Sequence, residues 1–302
     1  MRIIPTLAVT AALVVSGCGS DAASNSANGR LHVVASFYPL AEAATKVGGA
    51  DVQVDNLTRP GAEPHDLELS TKQVDALEGA DLVVLMGRGF QPGVEEAARR
   101  RPKDATLSVL DALDVGKGTV AAEGESGGVD PHVWLDPTRM HRIVAAVTES
   151  LVAAAPAKKA AFERRAAAYE QELDGLAGRF AAGLETCRTK TIVTSHAAFG
   201  WLARTYGLEQ ESISGISPEQ EPDPRRLAQL IDLVKARHVT TIFTETLVSP
   251  KVADTLAREA GVKTDVLDPL EGLTKARVQA GDDYVSVMDD NLARLRTALG
   301  CT

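Results

Sequence analysis

The chain of 302 residues is short of the features that mark redox enzymes and nucleic-acid binders. It has three cysteines, and none belongs to a Cys-x-x-Cys pair, so neither a thiol redox site nor a zinc ribbon is indicated. No basic run extends beyond Arg99, Arg100 and Arg101 with Lys103, and the formal charge is −9. Phosphate binding needs clustered Lys and Arg, so no nucleic-acid partner is expected. His-Glu-x-x-His and Gly-x-Ser-x-Gly are both missing, and no short-period repeat occurs. What remains, 44% hydrophobic and 24% charged residues, is ordinary globular composition, and the length allows two domains. An acidic chain of this kind suits a cationic ligand.

Met1-Arg2, a mostly apolar run over 3–15 and Val15-Ser16-Gly17-Cys18 follow one another at the start. The run is too short to span a bilayer comfortably and resembles a bacterial lipoprotein signal with its lipobox. The expectation is a leader over 1–17, cleavage before Cys18, diacylglycerol on its thiol, and a Ser-, Ala- and Asn-rich tether over 18–30. That places the protein outside the cytoplasm, lipid-anchored to the bacterial cell membrane. Cys187 and Cys301 then remain, and two cysteines of an exported protein most simply pair, two free thiols being the other state.

From Leu31 short apolar runs alternate with helical-period segments, which predicts an α/β fold with largely parallel sheets. An N-terminal lobe is expected over 31–137, with strands at 31–36, 51–57, 81–86 and 106–109 and helices at 39–47, 70–77 and 93–100. The stretch 116–129, without periodicity, predicts a surface loop. Thr138 is expected to cap a long Ala-rich helical region over 138–187, interrupted at Pro156. Its second part, with Phe162, Ala166, Tyr169, Leu173, Leu176 and Phe180 at helical spacing, would reach about 40 Å and connect two lobes. The α/β pattern restarts over 188–302, with strands at 190–194, 208–212, 240–244 and 264–267, helices at 197–206, 224–237 and 251–260, and a terminal helix at 282–299.

The stretch 130–137, Asp-Pro-His-Val-Trp-Leu-Asp-Pro, holds His132 between two Asp-Pro pairs that keep it out of helix. Ligands of open α/β sheets sit beyond the carboxyl ends of the strands, where the chain offers His65 after Pro64, His196 after a Thr-Ile-Val-Thr-Ser strand, Glu245 after Thr-Ile-Phe-Thr, and Asp268 after Val266-Leu267. Three imidazoles and a carboxylate complete a shell for a divalent metal. Spacing alone leaves open whether the three are ligands or ordinary loop histidines. His32, His141 and His238, within a strand, on a helix and at a helix end, read as structural or solvated.

Asp130-Pro-His-Val-Trp-Leu-Asp-Pro, with Glu63-Pro-His-Asp-Leu-Glu-Leu before it and Thr194-Ser-His-Ala-Ala-Phe-Gly-Trp-Leu after it, resembles the ZnuA/TroA-type metal-binding proteins of bacterial zinc and manganese ABC importers. The resemblance runs from the lipobox to the terminal helix. It implies two doubly wound α/β lobes joined by a long rigid helix with metal in the cleft between them, a permease as partner and no catalysis; a monomer is expected. His65, His132 and His196 fall on three of the family's ligands. The fourth is a carboxylate near Leu267-Asp-Pro-Leu, for which Asp268 is the expectation and Glu271 and Glu245 the fallbacks, Glu245 also being placed to orient an imidazole. Many zinc-specific members carry a His-rich loop that 116–129 lacks, while manganese-type members often replace the third histidine by glutamate. The imidazole-rich set favours Zn²⁺ as the carried ion over Mn²⁺. An exported zinc metallohydrolase and a surface adhesin are the rival readings.

Overall fold

The computed structural model describes residues 29–115 and 129–302. The expected leader, Cys18, the tether up to residue 28 and the expected loop up to residue 128 lie outside the described residues. In the first lobe β1 (Leu31–Ala35), α1 (Tyr38–Gly48), β2 (Val52–Asn56), α2 (Thr71–Gly79), β3 (Leu82–Leu85), α3 (Pro92–Ala98), β4 (Thr106–Ser108) and the short α4 (Val109–Ala112) alternate. Two long helices follow, α5 (Pro137–Ala154) and α6 (Lys159–Leu184). The second lobe then runs β5 (Thr191–Thr194), α7 (Gly200–Thr205), β6 (Glu209–Ser212), α8 (Pro224–Ala236), β7 (Thr241–Thr244), α9 (Lys251–Ala260), β8 (Lys263–Val266), α10 (Lys275–Ala280) and α11 (Tyr284–Leu299).

Each lobe contains a four-stranded, wholly parallel sheet, ordered β2-β1-β3-β4 in the first and β6-β5-β7-β8 in the second. Of the four interior strands, β3 (Leu-Val-Val-Leu), β5 (Thr-Ile-Val-Thr) and β7 (Thr-Ile-Phe-Thr) are buried at every position and β1 at all but His32, as suits a parallel sheet covered on both faces. In both sheets the strand order reverses beside the first strand of the lobe, the place where open α/β sheets form a ligand crevice.

The chain passes between lobes along α6, whose 26 residues span about 39 Å. Phe162, Ala166, Tyr169, Leu173, Leu176, Phe180 and Leu184 form its buried stripe. Near its start Arg165 donates to Val47 O (2.6 Å) and Gly48 O (2.7 Å) in the first lobe, and near its end Arg179 pairs with Asp289 of α11 (2.8 Å). One contiguous core runs from β1 through α5 and α6 to α11, so the helix is packed on both lobes. Beyond it Cys187 and Cys301 form the expected disulfide, which fastens the end of the connector to the chain's last residues.

Three differences from the sequence expectation have local causes. Asp136, not Thr138, caps α5: its Oδ1 accepts from Thr138 N (2.9 Å) and Thr138 Oγ1 (2.8 Å), with Pro137 at the first helical position where no N–H is needed. The helix expected from residue 197 begins only at Gly200. The carbonyl of His196 is held by Thr194 Oγ1 (2.7 Å) and Gln210 Nε2 (3.1 Å), and Ala197 N donates to Gly215 O (2.8 Å), so these groups are engaged outside a helix. α4 and α10 were not expected; they are single turns or little more, too short for a periodic signal.

Candidate metal centre

His132 stands at the head of a single tight turn, Val133–Leu135, that leads into α5. The segment's flanking groups tie it to the second lobe. Trp201 Nε1 donates to Asp130 O (3.0 Å), Trp134 Nε1 to Pro269 O (2.9 Å), Tyr284 Oη to Trp134 O (2.6 Å) and Thr205 Oγ1 to Asp136 Oδ2 (2.7 Å). His65 lies in the connection between β2 and α2, and His196 one residue beyond Ser195 at the end of β5. The three side chains converge in the cleft between the lobes.

The fourth group in the set is Glu271, not Asp268. Asp268 Oδ1 accepts from Leu270 N (2.9 Å), its backbone is bracketed by Asn291 (2.9 and 2.7 Å), and Arg277 Nε lies 3.6 Å from Oδ2. This Asx-type turn carries Leu270 into the left-handed region, φ 52°, and the reversal delivers Glu271 to the histidines. Asp268 therefore shapes the loop whose later residue reaches the cleft. Gly272 permits the close approach behind it: a Cβ there would stand 3.3 Å from Ala62 O of the other lobe.

Glu271 Oε1 lies 3.0 Å from His65 Nε2, 3.4 Å from His132 Nε2 and 3.2 Å from His196 Nε2, and the last two nitrogens are 3.3 Å apart. Four donors placed about 2.0–2.1 Å from one zinc at tetrahedral angles stand about 3.3–3.4 Å from one another. The donor atoms all lie within 4.8 Å of each other and every one of the four residues is buried. These residues therefore fit a tetrahedral ion with little rearrangement.

Each of two imidazoles is oriented from its far side. Asp130 Oδ1 takes both the backbone N–H of His132 (2.9 Å) and its Nδ1 (2.7 Å). Glu245 takes the backbone N–H of His196 on Oε1 (2.9 Å) and its Nδ1 on Oε2 (2.7 Å). A carboxylate accepts only, so it selects the Nδ1–H tautomer and leaves the Nε2 lone pair facing the cleft. His65 is set by its loop: Glu63 accepts from its backbone N–H with both carboxylate oxygens at 3.0 Å. Asp130 was present in the sequence motif, but the orienting role went unread there; its position two residues before the imidazole was the available signal.

Burial would push the Glu271 carboxyl up, but the His196 charge and the bonds to all three histidines hold it well below the usual range. Asp268, without such partners, is pushed up to about 6 by burial. Burial opposes protonation of His132 and His196 as well. At His132 the bonds to Asp130 and Glu271 outweigh it, and at His196 the charges of Glu245 and Glu271 raise the imidazole well above its usual value. His65 is lowered, burial being the largest influence. Glu63 is pushed up to about 7 by burial and by Glu271.

Fold and site together define a two-lobed binding protein whose interlobe cleft presents three imidazoles and a carboxylate. A family model for zinc-uptake complex component A, periplasmic (ZnuA), matches residues 33–298, and the chain belongs to that family. It is 38% identical over 300 residues to the zinc-binding lipoprotein AdcA of Streptococcus pneumoniae, a match covering 96% of this chain and 59% of that protein's length. It is 34% identical over 304 residues to the high-affinity zinc uptake system protein ZnuA of Bacillus subtilis, covering 95% of this chain and 94% of that one. Its fold is similar to the crystal structure of the Zn(II)-bound ZnuA-like domain of the pneumococcal AdcA, with a TM-score of 0.76 at 40% identity over 90% of this chain and 99% of that one. Among the described residues no helix is long and apolar enough to cross a membrane.

Proposed function

We propose that this protein captures Zn²⁺ outside the cytoplasm and delivers it to the permease of an ABC importer, with His65, His132, His196 and Glu271 as the ligands. The observation that carries the reading is the spacing of these donors in a buried cleft between lobes: Glu271 Oε1 lies 3.0 to 3.4 Å from all three Nε2 atoms, and the four donors all lie within 4.8 Å of one another. Zinc is favoured over manganese because imidazole nitrogens suit it better than they suit the harder ion. Four protein donors fill a tetrahedron and leave no coordinated water to activate, so the site suits carriage and not hydrolysis. The names of the zinc-binding and zinc-uptake relatives support the same reading. The leader over 1–17, acylation of Cys18 and the tether over 18–30 complete the proposal: a monomer with two lobes, over 31–137 and 188–302, held at the membrane beside its permease.

The test uses the soluble chain lacking residues 1–18, loaded under metal-limited conditions. One Zn²⁺ per chain, no hydrolysis of ester or peptide substrates, and Mn²⁺ bound more weakly are the expected results. Less than stoichiometric zinc, or manganese retained in its place, would contradict the proposal.

A further inference from the structure

The connection after β3 is unusual in its backbone. Gly87, Arg88 and Gly89 have φ of 85°, 54° and 91° in succession. A Cβ at residue 87 would collide with the side chain of Ser108, and at Arg88 a side chain is forced into the region L residues avoid. The surroundings hold this shape. Arg88 Nε donates to Asp111 Oδ1 (2.8 Å) and the guanidinium also bonds Val115 O, while the Glu95 carboxylate accepts from Gly89 N (2.9 Å) and Gln91 N (3.4 Å). Backbone conformations of this kind persist only when over-determined, and they gather at functional sites.

The loop delivers two side chains to the cleft. Gln91 is 2% exposed and its Nε2 donates to Pro64 O (3.1 Å), the carbonyl directly before His65. Phe90, 4% exposed, sets its ring edge-on to His65 with centroids 4.6 Å apart, 6.4 Å from His132 and 5.5 Å from Trp134. The His65 and His132 rings are themselves 5.5 Å apart, so the phenyl group fills the angle between the two imidazoles of the first lobe.

We infer that Phe90 is a selectivity-determining residue: it backs His65 and His132 and keeps water from joining the coordination sphere beside them, which disfavours ions that need more than four donors. The inference rests on the zinc-binding reading above. Zn²⁺ is content with four ligands, whereas Mn²⁺ favours six, largely oxygens. A phenyl ring offers no donor, and the space it occupies, if vacated, would hold water with polar partners at hand in the imidazoles and the ion. Phe90 packs beside two of the ligands and has no donor atom of its own, so it acts by positioning and exclusion.

The test compares the soluble chain with Phe90→Ala and Phe90→Leu, using Co²⁺ as a spectroscopic probe and competition titrations with Zn²⁺ and Mn²⁺. Wild type should show the intense visible bands of four-coordinate cobalt. Phe90→Ala should show the weak bands of five- or six-coordinate cobalt and a zinc-to-manganese affinity ratio lowered by about tenfold or more. Phe90→Leu, which still fills the space, should stay near wild type in both. An alanine variant that keeps the wild-type spectrum and ratio would overturn the inference, as would a leucine variant altered as much as alanine. If alanine prevents folding, judged by circular dichroism of the metal-free chain, Phe90→Val serves in its place with the same criteria. Failure of wild type to bind zinc would refute the proposed function instead, so the two failures are distinguishable.

Discussion

Replacing Glu245 by glutamine changes which proton His196 can keep. The native carboxylate accepts on both oxygens, from His196 N at 2.9 Å and from Nδ1 at 2.7 Å. Glutamine has one acceptor for these two donors. If its oxygen stays with the backbone N–H, its amide N–H₂ faces Nδ1 and the imidazole is driven to the Nε2–H tautomer, with a proton where the metal should bind. If the amide turns over, the backbone N–H of a fully buried residue loses its partner. Either way one of the two bonds that fix the native imidazole is lost, and substitutions of such orienting carboxylates lower metal affinity by about 10- to 100-fold, or about 1.4–2.8 kcal/mol. Glu245→Ala should behave differently. It removes both acceptors, leaves two buried donors unpaired at about 1–3 kcal/mol each, and should lower the stability of the metal-free fold as well. The assay is chelator-competition titration at pH 7.5, with thermal unfolding of the metal-free proteins alongside. A glutamine variant within threefold of wild-type zinc affinity would refute the tautomer reasoning.

Two further outcomes follow from the same geometry. Protons compete with the ion for the Nε2 atoms, and because His132 and His196 hold protons above the usual imidazole range, zinc affinity should already be falling below pH 7.5 and continue to fall through pH 5.5, about tenfold per pH unit for each proton displaced; chelator competition at several pH values checks this, and a flat profile would count against imidazole ligation. The Cys187–Cys301 disulfide spans a sequence separation of 114, so the double Cys→Ser variant should lose up to about 4 kcal/mol of unfolding free energy by urea titration. Detection of two free thiols in the denatured, unreduced soluble chain would contradict the pairing.

The parallel sheets were legible because their interior strands are short, mostly apolar runs, and the connector because Phe162 to Phe180 keep helical spacing across about five turns. His65, His132 and His196 could be picked out by their placement after strands or between prolines. Their convergence, by contrast, depends on how the lobes are mounted on α6, which only the resemblance could anticipate. Glu271, not the expected Asp268, lies beside the histidines for a physical reason. Proximity to a strand end and to Pro269 describes the backbone up to residue 269, whereas the side chain that reaches the cleft is decided one turn later, by the bond from Leu270 N to Asp268 and the left-handed Leu270. An aspartate able to accept from a backbone two residues on is a turn former, and that was the overlooked signal. Phe90 was invisible for a similar reason: Gly87-Arg-Gly announces a bend, but not where the next aromatic ring will point.

Zinc-edge X-ray absorption of the soluble chain, of Glu271→Ala and of Asp268→Ala tests the central claim most directly. Wild type should show three imidazole nitrogens and one carboxylate oxygen at about 2.0–2.2 Å. Glu271→Ala should lose the carboxylate and with it the outer-shell scattering of the carboxylate carbon, even where a water oxygen takes the vacated position. Asp268→Ala, if its loop holds, should keep all four ligands. An unchanged spectrum in Glu271→Ala, or loss of the carboxylate in Asp268→Ala alone with Glu271 still free, would contradict the account.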